Sequence, residues 1–180
     1  AGWPLSKKFG CTRDIAYEMM VRAKEKGLVP FGVSFHVGSQ QTVTEPYFAA
    51  ISLVEAVYDD LAEVGIELEA LNIGGGFPVT YRAPVPSIED YADTIRESVD
   101  RHFPDKKLHL MIEPGRYMVA EAGVIQSEIV LISKSKEMGD IRWIYMDVGK
   151  FSGLTEAEAI QYRILTSKGA EDEGDCGRVI

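Results

Sequence analysis

Three short, nearly continuous apolar runs recur along the chain, and each ends in polar or glycine-rich residues. They are "VPFGVSFHVGS" (29–39), "LEALNIGGG" (68–76) and "KLHLMIEPGR" (107–116). Runs of this length with apolar residues at successive positions are typical of strands that are covered on both faces of a parallel sheet. We therefore predict three buried strands.

Helical periodicity occupies the intervening sequence. Residues 12–26 carry Ile15, Met19 and Ala23 at helical spacing, and Gly27 follows as a stop. Residues 45–64 follow Thr44, which we expect to cap the helix, and contain Pro46 in the first turn. Residues 88–102 begin after Ser87, where "SIED" (87–90) resembles a capping box, and they present Tyr91, Ile95 and Val99 as an apolar stripe.

Strands that alternate with helices predict βα units and a parallel sheet. Right-handed crossovers then place every strand's carboxyl end at the same edge. After Glu121 the pattern changes to alternating, β-branched runs without a helix, which favour an antiparallel β domain. We expect residues 1–120 to be part of a (β/α)₈ barrel and residues 121–180 to begin a β domain. Because such a barrel needs about 250 residues, the chain is expected to be a portion of a larger protein.

The amino-acid composition limits the kinds of partner that the protein is expected to bind. The formal net charge is −9 and the pI about 4.9, which argues against nucleic acid and anionic membranes. Only two cysteines occur and no CxxC, so we expect a reducing compartment and no metal site. Without a signal-peptide pattern or a membrane-spanning run, a cytoplasmic protein is expected.

Candidate chemistry follows each predicted strand. His36 follows the first, Gly74, Gly75 and Gly76 follow the second, and Glu113 with Arg116 follows the third. Taken singly, these residues have structural interpretations: a buried hydrogen-bonded histidine, a tight turn and a salt bridge. Together they suit one ligand, a phosphorylated heteroaromatic ring, with the glycine amides and Arg116 on the phosphate. A carboxylate that keeps a pyridine nitrogen protonated is the device used with pyridoxal phosphate.

Five ordered motifs strengthen this interpretation. The segments "KFGC" (8–11), "GVSFHVGSQ" (32–40), "LNIGGGFP" (71–78), "IEPGRYMVAEAG" (112–123) and "MDVGKFSGL" (146–154) resemble the fold-type III, alanine racemase-like decarboxylases. Within that group the chain is most similar to the bacterial ornithine and lysine/ornithine enzymes. The resemblance implies decarboxylation of L-ornithine or L-lysine to a diamine, in polyamine biosynthesis. It also implies pyridoxal 5′-phosphate as cofactor and a homodimer with shared active sites.

Residue by residue, the resemblance implies that His36 stacks on the cofactor ring and Glu113 bonds its nitrogen. It implies that Ser39, Gly74–Gly76 and Arg116 surround the phosphate. The family's Schiff-base lysine and its Cys-Asp pair are expected outside this chain, so the segment alone is expected to be inactive. Cys176 is given no catalytic role.

The resemblance also places the substrate's distal amine near a short helical segment, here "TEAEAIQY" (155–162). Glu156 and Glu158 are its only acids, and we favour Glu158 as the substrate residue. Three alternatives remain open: a diaminopimelate or arginine decarboxylase of the same fold, an inactive homologue that binds a regulatory partner, and a generic phosphate-binding barrel.

Overall fold

The protein alternates strands and helices and then changes to an antiparallel pair. A computed structural model describes residues 8–135, 141–157 and 159–166. The elements run α1 (Arg13–Glu25), β1 (Gly32–Ser34), α2 (Glu45–Glu63), β2 (Ala70–Asn72), α3 (Ile88–His102), β3 (His109–Met111), α4 (Arg116–Val119), β4 (Ile129–Ser135) and β5 (Ile141–Met146). In the described part, residues 8–79 and 85–120 form one compact unit, and residues 80–84 join the segment from 121 onward in a second.

The first unit contains a parallel sheet of order β1-β2-β3, as the alternating pattern predicts. Gly32 pairs with Ala70, and Ala70 pairs with His109. β1 and β2 approach so closely that a Cβ at Gly32 would collide with the Ala70 carbonyl. The sheet therefore requires glycine at the start of β1.

The helices cover the sheet through an aromatic and aliphatic core. Tyr47 stacks on Phe77 with ring centroids 5.3 Å apart and meets Tyr91 edge-on at 5.7 Å. The buried cluster consists of Tyr47, Ile51, Val54, Val57, Tyr58, Leu61, Ile66, Leu68, Leu71, Ile73, Phe77, Tyr91 and Phe103. Because α2 and β2 supply most of it, β2 is the best-covered strand.

Several helices begin or end at the residues that the local sequence pattern indicates. Ser87 and Asp90 form the predicted capping box of α3, and the Asp90 amide donates to Ser87 Oγ at 3.2 Å. Gly27 and Gly65 follow α1 and α2 with φ of 79° and 70°. The prediction for Thr44 was wrong: its backbone is already helical and its side chain makes no capping bond.

Two packing predictions also differ from the structure. In α1 the side chains that pack on the core are Ala16, Tyr17, Met20 and Val21, whereas Ile15 and Met19 are exposed. The helix carries two adjacent apolar stripes with the same period. Periodicity alone therefore did not indicate which stripe packs on the core. β3 was predicted to be buried on both faces, but its residues are exposed, and none of them packs on the core in the described part of the chain.

The second unit contains the predicted antiparallel pair. Leu131 pairs with Tyr145 and Lys134 with Arg142, with an irregularity between Ile129 and Leu131. Asp147 ends β5 and accepts hydrogen bonds from Ser127 Oγ at 2.6 Å and the Glu128 amide at 2.9 Å. The Ser127 bond, then the Glu128 amide, lowers the pKa of Asp147 below its usual range. The tail "SKGAEDEGDCGRVI" (167–180), whose last residues resemble the opening of another strand, lies outside the described residues.

No helix in the described ranges is both long and apolar enough to cross a membrane.

Candidate cofactor site

The predicted site residues meet where the three parallel strands end. Backbone bonds continue past the strands: the Phe35 amide donates to Asn72 O at 3.1 Å and the Ile73 amide to Met111 O at 2.9 Å. The Glu113 amide then donates to Gly74 O at 2.7 Å. His36, the glycine loop 74–76 and Glu113 are therefore held side by side.

Close packing explains why the loop consists of three glycines. Gly74 and Gly76 adopt φ of 71° and 104°, a region that side chains disfavour. A Cβ at Gly76 would lie 2.5 Å from Gly38 O. A Cβ at Gly74 would collide with Phe35 O, and one at Gly75 with Glu113 O. The loop fits only without side chains, since its neighbouring segments press against it.

His36 is exposed and hydrogen-bonded, so the buried-histidine interpretation does not hold. The Gly75 amide donates to His36 Nδ1 at 3.3 Å. Because Nδ1 is an acceptor in this bond, the neutral ring carries its proton on Nε2. The backbone thus fixes both the orientation and the tautomer of an imidazole that is open to a ligand.

Asn72, the last residue of β2, contacts two of the predicted site residues and was missed by the sequence interpretation. Its Nδ2 donates to Glu113 Oε1 at 2.6 Å, while its Oδ1 accepts from the Gly74 amide at 2.9 Å. The Gly74 bond is the local pattern by which asparagine caps a turn two residues on, so the sequence held a signal for it. The contact with Glu113 joins residues 41 positions apart, and no local sequence pattern indicates it.

Two of the three glycine amides predicted to bind a phosphate have hydrogen-bond partners within the protein. Gly74 and Gly75 donate to Asn72 Oδ1 and His36 Nδ1, so these two N–H groups serve the protein itself. The prediction that several loop amides point at a phosphate was therefore too broad. Of the three glycine amides in this loop, that of Gly76 remains the candidate phosphate donor.

The guanidinium of Arg116 lies beside Ser39. Arg116 Nη2 donates to Ser39 Oγ at 3.0 Å, across 77 residues of sequence. Gly115 precedes it with φ of 45°, which starts α4 immediately after the "EPG" turn. The carboxylate of Glu113 and the guanidinium of Arg116 thus contact different side chains, Asn72 and Ser39.

Buried tyrosines hold the loops from beneath. Tyr47 donates its hydroxyl to Gly75 O at 3.1 Å, and Tyr91 donates to Gln41 O at 2.6 Å. Burial raises the pKa of both hydroxyls, with the Glu45 charge adding to the effect at Tyr91. Both tyrosines therefore remain protonated donors throughout the neutral range.

Glu158 and Cys176 lie outside the described residues. The segment 155–162 was predicted to be helical, but its residues 155–157 form a turn. Glu156 in this turn is half-buried. In the described ranges no group of three His, Cys, Asp or Glu side chains could hold a metal ion.

The donor set fits pyridoxal phosphate. Glu113, anchored by Asn72, offers a carboxylate for a protonated ring nitrogen, and His36 offers an exposed imidazole whose orientation is fixed. Arg116 and Ser39 offer a cation and a hydroxyl for a phosphate, on a separate part of the same cluster.

Groups placed in this way, at the carboxyl ends of parallel strands, are typical of the ligand sites of α/β proteins, including α/β barrels. The chain belongs to the pyridoxal-dependent decarboxylases, because the family described as "Pyridoxal-dependent decarboxylase, pyridoxal binding domain" matches residues 3–120.

Relatives of several functions match the chain. Ornithine decarboxylase of Mus musculus is 39% identical over 127 residues, which are 70% of this chain and 27% of the relative. Diaminopimelate decarboxylase of Pseudomonas fluorescens is 40% identical over 124 residues, 68% of this chain and 29% of the relative. Antizyme inhibitor 2 of Xenopus laevis is 38% identical over 119 residues, 66% of this chain and 26% of the relative.

Solved structures agree on the fold. Lysine/ornithine decarboxylase from Vibrio vulnificus, complexed with cadaverine, superposes with a TM-score of 0.77 at 33% identity. The match covers 91% of this chain and 44% of that one. The fold is therefore that of the alanine racemase-like decarboxylases: part of the barrel, followed by antiparallel β structure. The chain spans less than half the length of each of these relatives.

Proposed function

We propose that the chain forms the cofactor-binding part of an enzyme that decarboxylates a basic L-amino acid, ornithine or lysine, to a diamine. The observation that carries the proposal is the cluster at the strand ends. Glu113 is held by Asn72, His36 by Gly75, and Arg116 lies against Ser39. A structural salt bridge or a simple turn would not need all three contacts at one edge of the sheet.

In this proposal Glu113 holds a proton at the pyridine nitrogen. Asn72 orients the carboxylate by donating to one oxygen, which leaves the other oxygen for the ring. Bound pyridoxal phosphate supplies an electron sink for the electron pair left when carbon dioxide departs. A cationic ring nitrogen strengthens that sink, so the carboxylate acts mainly on the transition state.

His36 positions the ring by stacking on it, since its Nδ1 bond to Gly75 limits rotation of the imidazole. Arg116, Ser39 and the Gly76 amide bind the phosphate. Glu158 contacts the distal amine of the substrate. These roles explain why charges of opposite sign follow β3 within five residues: one serves the ring nitrogen and the other the phosphate.

The proposal extends to the complete protein as a cytoplasmic homodimer whose partner chain completes each site. Ornithine and lysine are favoured over diaminopimelate because "HVGSQ", "GGGFP" and "DVGKF" resemble the basic amino acid enzymes. The similarity to a diaminopimelate decarboxylase makes that substrate, with arginine, the alternative within the fold.

The test is a substrate panel with the complete protein and added cofactor. Release of carbon dioxide from L-ornithine, L-lysine, meso-diaminopimelate and L-arginine should show kcat/KM at least tenfold higher for ornithine or lysine than for the other two. Preference for diaminopimelate or arginine would keep the cofactor chemistry and reject the substrate assignment.

A second candidate, an inactive regulatory homologue, is favoured by the similarity to antizyme inhibitor 2. Titration of the complete protein with pyridoxal phosphate separates the two functions. Saturable binding with decarboxylation supports the enzyme, whereas absence of both supports the regulatory homologue.

A further inference from the structure

Gln40 has an unusual backbone conformation. Among the described residues it is the one non-glycine residue with positive φ, at 53°. Side chains other than that of glycine disfavour this region, and such residues persist where surrounding contacts hold them in place. The position immediately follows Ser39, which lies against Arg116.

The Gln40 side chain is clamped to the segment that follows the glycine loop. Its Nε2 donates to Val79 O at 2.6 Å, and its Oε1 accepts from the Val79 amide at 3.2 Å. The side-chain amide thus pairs with both backbone groups of one residue, as a neighbouring strand would. Both bonds are partly buried, so water competes for them only weakly.

A third bond runs beside the clamp. The Gln41 amide donates to Gly76 O at 2.8 Å, while Gly38 O lies so close to Gly76 that a Cβ would not fit between them. Residues 38–41 are therefore joined to residues 76–79. Ser39 and Gly76, the two proposed phosphate contacts on these segments, are held at a fixed separation.

We propose that Gln40 is a positioning residue that closes the phosphate end of the cofactor site. The inference rests on the proposed function, and it assigns to Gln40 the spacing between Ser39 and the glycine loop. Gln40 itself touches neither ring nor phosphate. Its effect should therefore depend on whether the ligand carries a phosphate.

Two substitutions at position 40 test what the glutamine side chain contributes. Glutamate has the same length but no donor for Val79 O, so it loses the 2.6 Å bond and places a charge beside a carbonyl. Glycine adopts φ of 53° without strain but has no clamp. Comparing the two variants separates the clamp from the backbone conformation.

The experiment measures dissociation constants for pyridoxal 5′-phosphate and for pyridoxal, which lacks the phosphate, in the complete apoenzyme. Gln40→Glu and Gln40→Gly should each weaken binding of pyridoxal phosphate by about tenfold, the change expected for the loss of one or two partly buried hydrogen bonds. Binding of pyridoxal should change less than twofold. Gln126→Glu, the same change at an exposed glutamine, should leave both constants unaltered.

Unchanged affinity for pyridoxal phosphate in both Gln40 variants would overturn the proposal. Equal weakening of both ligands would also overturn it, because a general disturbance of the fold does not distinguish them. A wild-type protein that binds neither ligand, or binds both equally, would instead refute the proposed function itself. Thermal melting of the apoenzymes identifies a variant that fails to fold, and Gln40→Gly is the variant that backbone strain leaves unaffected.

Discussion

The side-chain amide of Asn72 donates to Oε1 of Glu113 across a distance of 2.6 Å, and the same amide accepts from Gly74. One neutral side chain therefore sets the position of the carboxylate relative to the glycine loop. The bond lies at an exposed position, where water competes for the carboxylate, so it favours one orientation of Glu113 without locking it.

Replacing Asn72 should impair catalysis more than cofactor binding. Asn72→Leu has similar volume and removes both bonds, so we expect kcat to fall about 10- to 100-fold in the complete enzyme. The dissociation constant for the cofactor should rise less than about threefold, because Arg116 and Ser39, the proposed phosphate contacts, are unchanged. Steady-state kinetics and cofactor titration measure the two effects.

Asn72→Asp is the matched comparison, since it keeps an acceptor for Gly74 but replaces the donor to Glu113 with a second negative charge beside that carboxylate. It should retain the fold of the loop and still reduce kcat. Full activity in this variant would show that the loop bond, rather than the bond to Glu113, is what matters.

Glu113→Gln should bind the cofactor nearly as well as the wild type but decarboxylate slowly. An amide does not keep a pyridine nitrogen protonated, so the loss falls on the transition state. By analogy with the removal of one preorganised electrostatic group, kcat should fall roughly 10²–10³-fold. A normal kcat in this variant would show that Glu113 has only a structural role.

The 180-residue chain alone should form no covalent adduct with pyridoxal phosphate, because the family resemblance places the Schiff-base lysine outside it. Borohydride reduction followed by peptide mapping is the measurement. Stoichiometric labelling of one lysine within the chain would contradict the alignment of the motifs.

Glu158→Gln in the complete enzyme should raise KM for ornithine and lysine strongly, with a smaller loss in kcat. Removing the partner of a buried ammonium costs roughly 2–5 kcal/mol. Glu156→Gln, two positions earlier, is the control and should have little effect. Equal, small effects from both variants would reject the assignment.

Asp90 should stabilise α3 in a pH-dependent manner. The Ser87 side-chain bond, then the Ser87 amide, holds the pKa of Asp90 below its usual range. A carboxylate with a depressed pKa contributes stability above the unfolded-state value of about 3.9 and loses it as pH falls through the folded-state value. Asp90→Ala should therefore destabilise the protein to urea at pH 7, and the difference should shrink near pH 3.

Glu97→Ala removes an exposed acid from the middle of the same helix and provides the comparison. Its effect should not depend on pH in this way. A pH-independent difference between wild type and Asp90→Ala would exclude the charged capping contact as its cause.

Features set by neighbours in the sequence were predictable. The Ser87 capping box and the glycines after α1 and α2 act within a few residues, so local pattern located the helix ends. The parallel arrangement followed from the βα alternation, which brought His36, the glycines and Glu113 to one edge. Each of these inferences needed only the spacing of residues.

Features set by partners distant in sequence were not predictable. The contact of Asn72 with Glu113 and that of Gln40 with Val79 join residues 41 and 39 positions apart. Ile15 and Met19 follow the same period as the stripe that packs on the core, so only tertiary contacts reveal which face is covered. Exposure of β3 likewise depends on which elements pack against it.

Partly buried apolar side chains and polar contacts at the surface together attach α1 to the rest of its unit. The helix has no buried residue, Arg13 pairs with the partly exposed Asp60, and Lys24 Nζ donates to Gly65 O at 2.7 Å. Exposed ion pairs weaken as salt rises, whereas the apolar contacts of α2 and β2 do not. Amide hydrogen exchange should therefore reveal a hierarchy of opening, in which α1 detaches first and does so more readily at high ionic strength while α2 stays protected.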